Sequence, residues 1–280
     1  MKIKLFLFLL LSYVSVAQEN VPDSYNGKKL VWHDEFNKQG KPDPENWSHE
    51  NGFKRNNELQ WYQEDNAKMD KGVLNITAKR VKKVNPTYRK SSNDWKTSRP
   101  EINFTSSSIH SKGKREFQYG TFLIRAKLDS TLGSWPAIWT LGIKKPWPSN
   151  GEIDIMELYR VNNQATILGN IAWGTNQAYR AKWDERKIPL THFLEQDPDW
   201  INKFHIWRMD WTENHIKIFL DDELINEVKL SETLNPDGFN PFKQPHYLLL
   251  NLAIGGNNGG APRQETKTIK YEVDYVRVYQ

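Results

Sequence analysis

With 280 residues and no cysteine, the chain is long enough to bury a sizeable core. Disulfides, thiolate catalysis, cysteine-ligated zinc and a lipidated-cysteine anchor are all excluded. Its 39 lysines and arginines against 34 acids give a net charge of +5, too mild a surplus to argue for a nucleic-acid partner. The 12 tryptophans exceed what packing one domain requires, and aromatic rings stack on the apolar faces of sugars while their polar edges stay wet.

In chain order, residues 1–17 read first, as an export signal. Lys2 and Lys4 form its positive end, Leu5 to Leu11 its apolar stretch, and Ser15-Val16-Ala17 a small-residue cleavage site. The apolar run falls far short of the roughly 20 residues of a membrane span. The expected product is therefore residues 18–280, exported to the periplasm or the medium without a membrane anchor. Losing Lys2 and Lys4 leaves 37 basic against 34 acidic residues, a net charge of +3.

Short alternating runs follow. Residues 73–79, 119–128, 204–211, 215–220, 247–254 and 271–279 all read as strands. In the second, Phe122, Ile124, Ala126 and Leu128 share one face. Asp70-Lys-Gly72, Leu132-Gly-Ser134, Asp221-Asp222 and the glycine-rich run 255–260 supply the turns. Many short strands and almost no helical periodicity predict an all-β, two-sheet antiparallel β-sandwich in a single domain. Residues 81–100 and 177–199 are polar, irregular and rich in Trp, Tyr and Arg, and read as long loops that shape a binding surface.

The run Gly151-Glu-Ile-Asp-Ile-Met-Glu-Leu-Tyr159 is the most informative. Alternation is strict from Glu152 to Ile155, breaks where Met156 follows Ile155, and resumes one step out of phase. A regular strand would therefore point Glu157 away from Glu152 and Asp154. One extra residue, a β-bulge near Ile155-Met156, puts all three carboxyls on one face and Ile153, Ile155, Met156 and Leu158 on the other. Three acids on one strand face repel and raise one another's pKa, a cost that suits glycosidic bond cleavage, which needs one ionised and one protonated carboxyl. The outer two Cα atoms stand roughly 13 Å apart at about 3.3 Å per residue. Side chains leaning together along the strand can approach the roughly 5–5.5 Å carboxyl separation of a retaining enzyme. An amphipathic helix is the bland alternative, opposed by the shortness of the run, its isoleucines and the preceding Pro148-Ser-Asn-Gly151.

Trp32-His-Asp-Glu-Phe36, Asn56-Asn-Glu-Leu-Gln-Trp-Tyr62, Gly133-Ser-Trp-Pro-Ala-Ile-Trp139, the acidic run and Val273-Asp-Tyr-Val-Arg-Val-Tyr279 occur in that order. Together they resemble glycoside hydrolase family 16, most closely its laminarinase-like branch, over nearly the whole chain. The resemblance implies a concanavalin A-like jelly roll with a concave cleft, and endo-hydrolysis of a β-linked polysaccharide with retention. It makes Glu152 the nucleophile, Glu157 the acid/base and Asp154 the assisting carboxylate. Two residues between Asp154 and Glu157 match the laminarinase and galactanase members better than the lichenases and xyloglucan transglycosylases.

Trp135 and Trp139, four apart and so on one strand face, are expected as sugar-stacking platforms. Asn57 and Arg99 match positions that hydrogen-bond sugar hydroxyls, although Thr97-Ser-Arg-Pro100 departs from the family's usual wording. Asn258, Trp147 and Trp173 are further cleft candidates, with a buried strand position the alternative for Trp173. The histidine that laminarinases carry on the following strand is replaced here, with Ala172 at the matching place and Asn170 nearby. The resemblance implies no catalytic cofactor. It allows a structural calcium ion on the convex face, held by the Asp274 carboxylate and the carbonyls of Glu35 and Gly72, oxygen ligands suited to a hard cation.

The expected partner is polysaccharide alone, met by a monomer. β-1,3-Glucan (laminarin) comes first, then mixed-linkage β-1,3-1,4-glucan, then an algal galactan of the agarase, porphyranase or carrageenase type. A sulfated galactan would use Arg89, Lys90, Arg99 and Arg180 in the long loops. A transglycosylase would share the same intermediate. A glucan-binding protein without activity is the non-enzyme alternative, disfavoured because all three carboxyls are present.

Overall fold

The computed structural model describes residues 21–280; the export signal expected over residues 1–17 lies outside them. Two β-sheets enclose one main apolar core. The sheet that carries the cleft has the strand order Ala181–Pro189, Gln164–Gly174, Glu152–Val161, Ser134–Gly142, His246–Ile254, Ser108–His110 and Ser48–His49. The outer sheet runs Glu223–Lys229, His215–Leu220, His205–Trp211, Gly120–Lys127, Thr268–Tyr279, Val73–Val84, Glu101–Ser106 and Gln60–Tyr62. All six runs read as strands from their alternation are strands. No helix among the described residues is long and apolar enough to cross a membrane.

Period-2 patterning builds the core directly. Phe122, Ile124 and Ala126 of the outer sheet, with Val276 and Val278 beside them, join Ile138, Ile153, Leu250 and Leu252 of the cleft sheet in one buried cluster. On the opposite face of Gly120–Lys127, Arg125 and Lys127 instead pair with Asp274 and Glu272.

The expected antiparallel sandwich is present, with Gln60–Tyr62 pairing to Glu101–Ser106 in parallel. Two expectations about the long loops need correction. Within residues 81–100 the strand Val73–Val84 continues to Val84 and a short helix occupies Trp95–Ser98. Within 177–199, Ala181–Pro189 is a strand and Leu190–Gln196 a helix. That strand was hidden because it lies at the sheet edge, where charges on both faces deter pairing with another chain and erase the apolar alternation.

Candidate active site

The acidic strand Glu152–Val161 carries the expected bulge. Against Gln164–Gly174, Asp154 pairs with Asn170 and Glu157 with Leu168, so Ile155 and Met156 together oppose Gly169. Against Ser134–Gly142, Ile138 pairs with Met156 and Trp139 with Asp154, again leaving one residue over. Ile153, Ile155, Met156 and Leu158 all lie in the core, while Glu152, Asp154 and Glu157 line a cleft of about 800 Å³ on the other face. The chain enters this strand through Gly151, whose φ of +79° and whose space, 2.8 Å from Pro241 Cβ to any added Cβ, admit no side chain.

The cleft floor is apolar where Ala137, Trp139 and Leu249 pack with Leu141 and Tyr247, and acidic beside it. Each catalytic glutamate is gripped by an indole: Trp147 Nε1 donates to Glu152 Oε2 at 2.5 Å, and Trp135 Nε1 donates to Glu157 Oε1 at 2.8 Å. Asn170 Nδ2 donates to Glu157 Oε2 at 3.3 Å. Trp139 Nε1 donates to Asn251 Oδ1 at 2.7 Å, and Asn251 donates in turn to the Tyr62 hydroxyl at 3.1 Å.

Burial sets the protonation of this cluster. It pushes the Glu157 carboxyl up to about 7, helped by the charge of Glu152 and opposed by the Trp135 and Asn170 hydrogen bonds. Asp154 is held well above the usual carboxylate range, first by burial and then by Glu157 and Glu152. Glu152 is also raised by burial, with Trp147 and Asp154 as hydrogen-bonding neighbours that favour its ionised form. Asp154 Oδ2 is buried without a donor among the protein groups. A proton on Asp154, given toward Glu152, satisfies this carboxyl as a donor rather than as an acceptor. The three carboxyls thus divide into an anion, a shared proton and an acid that titrates near neutrality.

Of the other expected residues, Trp135, Trp139, Trp147 and Asn258 line the cleft. Trp135 and Trp139 are only 5% and 8% exposed, and the Arg55 guanidinium covers the Trp139 ring at 5.1 Å. They are buried supports rather than open platforms; Trp147, at 37% exposure, is an open one. Asn57 lies in an adjoining hollow of about 610 Å³ with Asn257, Asn258 and Arg160. Arg99 does not line the cleft: it donates to the Asn57 and Glu58 carbonyls and stacks on Trp95, which makes it a support of the Asn57 turn. Trp173 is 4% exposed and belongs to the core, because its phase on the strand points it inward. Arg89, Lys90 and Arg180 also lie outside the cleft lining.

The calcium expectation does not fit. Arg125 Nη1 donates to Asp274 Oδ2 at 2.5 Å, so a cation already neutralises the carboxylate that would bind the ion. The Glu35 side chain is held by Arg277 at 2.7 and 2.9 Å, which leaves the expected Glu35 and Gly72 carbonyls without a free carboxylate beside them to balance a hard cation. Among the described residues no cluster of three His, Cys, Asp or Glu side chains is placed to hold a metal.

Sequence reasoning passed over Glu50, Arg55, Glu58, Trp183, Glu185 and Lys187, all of which line the cleft. Glu58 is buried and pushed up to about 7 by that burial, against the pull of Arg55. Its signal was present in Asn56-Asn-Glu-Leu-Gln60. Trp183 and its neighbours were lost with the unrecognised edge strand.

Residues 53–277 match the family described as Glycosyl hydrolases family 16. The Beta-glucanase of Rhodothermus marinus is 32% identical over 98% of this chain and 93% of its own length. The laminarinase catalytic domain of Thermotoga maritima superposes with a TM-score of 0.73 at 30% identity, covering 90% of this chain and 98% of that one. A structure reported with endo-acting O-glycanases that prominent members of the human gut microbiota express to initiate mucin breakdown reaches a TM-score of 0.82 at 32% identity, covering 93% and 94%. With the bulged acidic strand at the floor of its cleft, the chain belongs to glycosyl hydrolase family 16 and is a glycoside hydrolase.

Proposed function

We propose that this hydrolase is exported and cleaves β-1,3-glucan internally, with retention of configuration, by double displacement. The observation that carries the proposal is the bulge between Asp154 and Glu157, which brings two separately hydrogen-bonded glutamates onto one cleft wall. Glu152, ionised and oriented by Trp147, attacks the anomeric carbon as Glu157 gives its proton to the departing glycosidic oxygen. The products of this step are a glycosyl ester on Glu152 and a free chain end. Glu157, now a carboxylate, takes a proton from water, whose oxygen displaces Glu152 and leaves the sugar as a hemiacetal. The proton on Asp154 follows the charge on Glu152 through both steps. No metal or organic cofactor enters this scheme, and calcium forms no part of it because Arg125 already holds Asp274.

The substrate assignment rests on the similarity to a beta-glucanase and a laminarinase. A second reading, endo-cleavage within a mucin-type O-glycan, is favoured by the higher TM-score of 0.82 and by Ala172 standing where the laminarinase histidine is expected. Sulfated galactans fit less well. Of the cations that line the cleft, Arg55 and Lys187 are already paired with Glu50 and Glu185, which leaves little free positive charge to meet a sulfate.

The deciding experiment is chromatographic product analysis on laminarin, barley glucan, lichenan, agarose, carrageenan and gastric mucin. Oligosaccharides of intermediate length from laminarin support the first reading. Products from mucin alone support the second, and products from agarose or carrageenan alone overturn both. Glu152→Gln must abolish turnover while the thermal transition is kept; undiminished release of reducing sugar would refute the mechanism.

A further inference from the structure

We propose that Trp183, Glu185 and Lys187 on the edge strand Ala181–Pro189 form a sugar subsite that extends the cleft away from Arg55 and Glu58 and seats a neutral hexose. The inference deepens the reading above and rests on it.

Strand register puts the three residues in line with the catalytic carboxyls. Trp183 pairs with Ala172, which pairs with Glu152; Glu185 pairs with Asn170, which pairs with Asp154; Lys187 pairs with Leu168, which pairs with Glu157. Each lies two inter-strand spacings, about 9.6 Å, from its catalytic counterpart, far enough to hold a ring beside the bond being cut. Trp183 is 40% exposed, among the most open indoles lining the cleft and an unusual residue for an edge strand that otherwise carries charge. With only a methyl group at Ala172, no tall side chain stands between Trp183 and Glu152 in that row.

The strand is anchored from behind. Asn226 Nδ2 donates to Asp184 Oδ1 at 2.9 Å and to the Gly169 carbonyl at 3.0 Å, which directs Trp183 and Glu185 to the cleft side. Lys187 Nζ donates to Glu185 Oε2 at 2.9 Å. The pair therefore offers one acceptor and one donor next to an aromatic face, with its charges already balanced. That combination suits the hydroxyl rim and apolar face of an uncharged sugar, and gives no net attraction for a sulfate.

The test compares wild type, Trp183→Ala, Trp183→Phe and Glu152→Gln on laminarihexaose labelled at its reducing end. Trp183→Ala is expected to raise KM about tenfold, with kcat on long laminarin nearly unchanged, and to shift the bond cut within the hexaose. Trp183→Phe is expected to restore most of the wild-type pattern, and equal melting temperatures would show that the edge strand is intact. If Glu152→Gln is inactive but Trp183→Ala keeps the wild-type KM and cleavage pattern, the subsite is refuted and the hydrolase reading stands. If Glu152→Gln stays active, the reading fails and the subsite with it.

Discussion

Replacing Glu157 by glutamine should cost the protein most of its activity and, at alkaline pH, make it more stable. The side chain is raised from 4.5 to about 7, chiefly by burial, so the folded protein binds its proton more tightly than the unfolded chain does. Stability from this group is fully present below pH ~4.5 and is lost as pH rises through ~7. At 1.36 kcal/mol per pH unit the loss amounts to about 3 kcal/mol, a ceiling because Glu157 is only partly buried and shares its titration with Asp154 and Glu152. Glutamine imitates the protonated form, and Asn170, whose Oδ1 is buried without a donor, can turn its amide to accept from the new NH₂ group. Urea unfolding of wild type and Glu157→Gln at pH 4.5, 6 and 8 is the assay. Equal stability is expected at the lowest pH, with the variant gaining up to about 3 kcal/mol at pH 8. Turnover should fall by about 10²–10⁴-fold, the range of a lost general acid. A variant less stable than wild type at pH 8, or a difference independent of pH, would refute the account of a carboxyl held protonated by its surroundings.

Deleting Ile155 leaves Glu152-Ile-Asp-Met-Glu-Leu in strict alternation, so the three carboxyls should stay on the cleft face of a now regular strand and hydrolysis should persist; loss of reducing-sugar release with an unchanged circular dichroism spectrum would mean that the shared face is not what the bulge supplies. Gly151→Ala forces a methyl group to 2.8 Å from Pro241 at a φ of +79° and should cost at least about 1–3 kcal/mol, read as a lower melting temperature together with lower kcat. A chelator should leave the melting temperature unchanged, since Arg125 occupies Asp274; a clear drop on adding EDTA would restore the calcium site.

Much of this protein was legible along one dimension. Alternation in runs such as 119–128 and 271–279 follows from the two-faced geometry of a strand, so the sandwich could be read without coordinates. The doubled apolar step at Ile155-Met156 did the same for the acidic cluster, because phase within one strand is a local property. What required the tertiary structure is everything that depends on which strands become neighbours. Arg125 neutralises Asp274 only because residues 149 positions apart share a sheet. Trp139 became a buried support because Arg55 closes over it, and Trp173 became core because its face of the strand packs into the space between the two sheets. Trp183 faces the cleft from an edge whose charged sequence resembles a loop. Local periodicity determines the face on which a residue stands, whereas the partner it meets there is decided by long-range pairing that no single segment encodes.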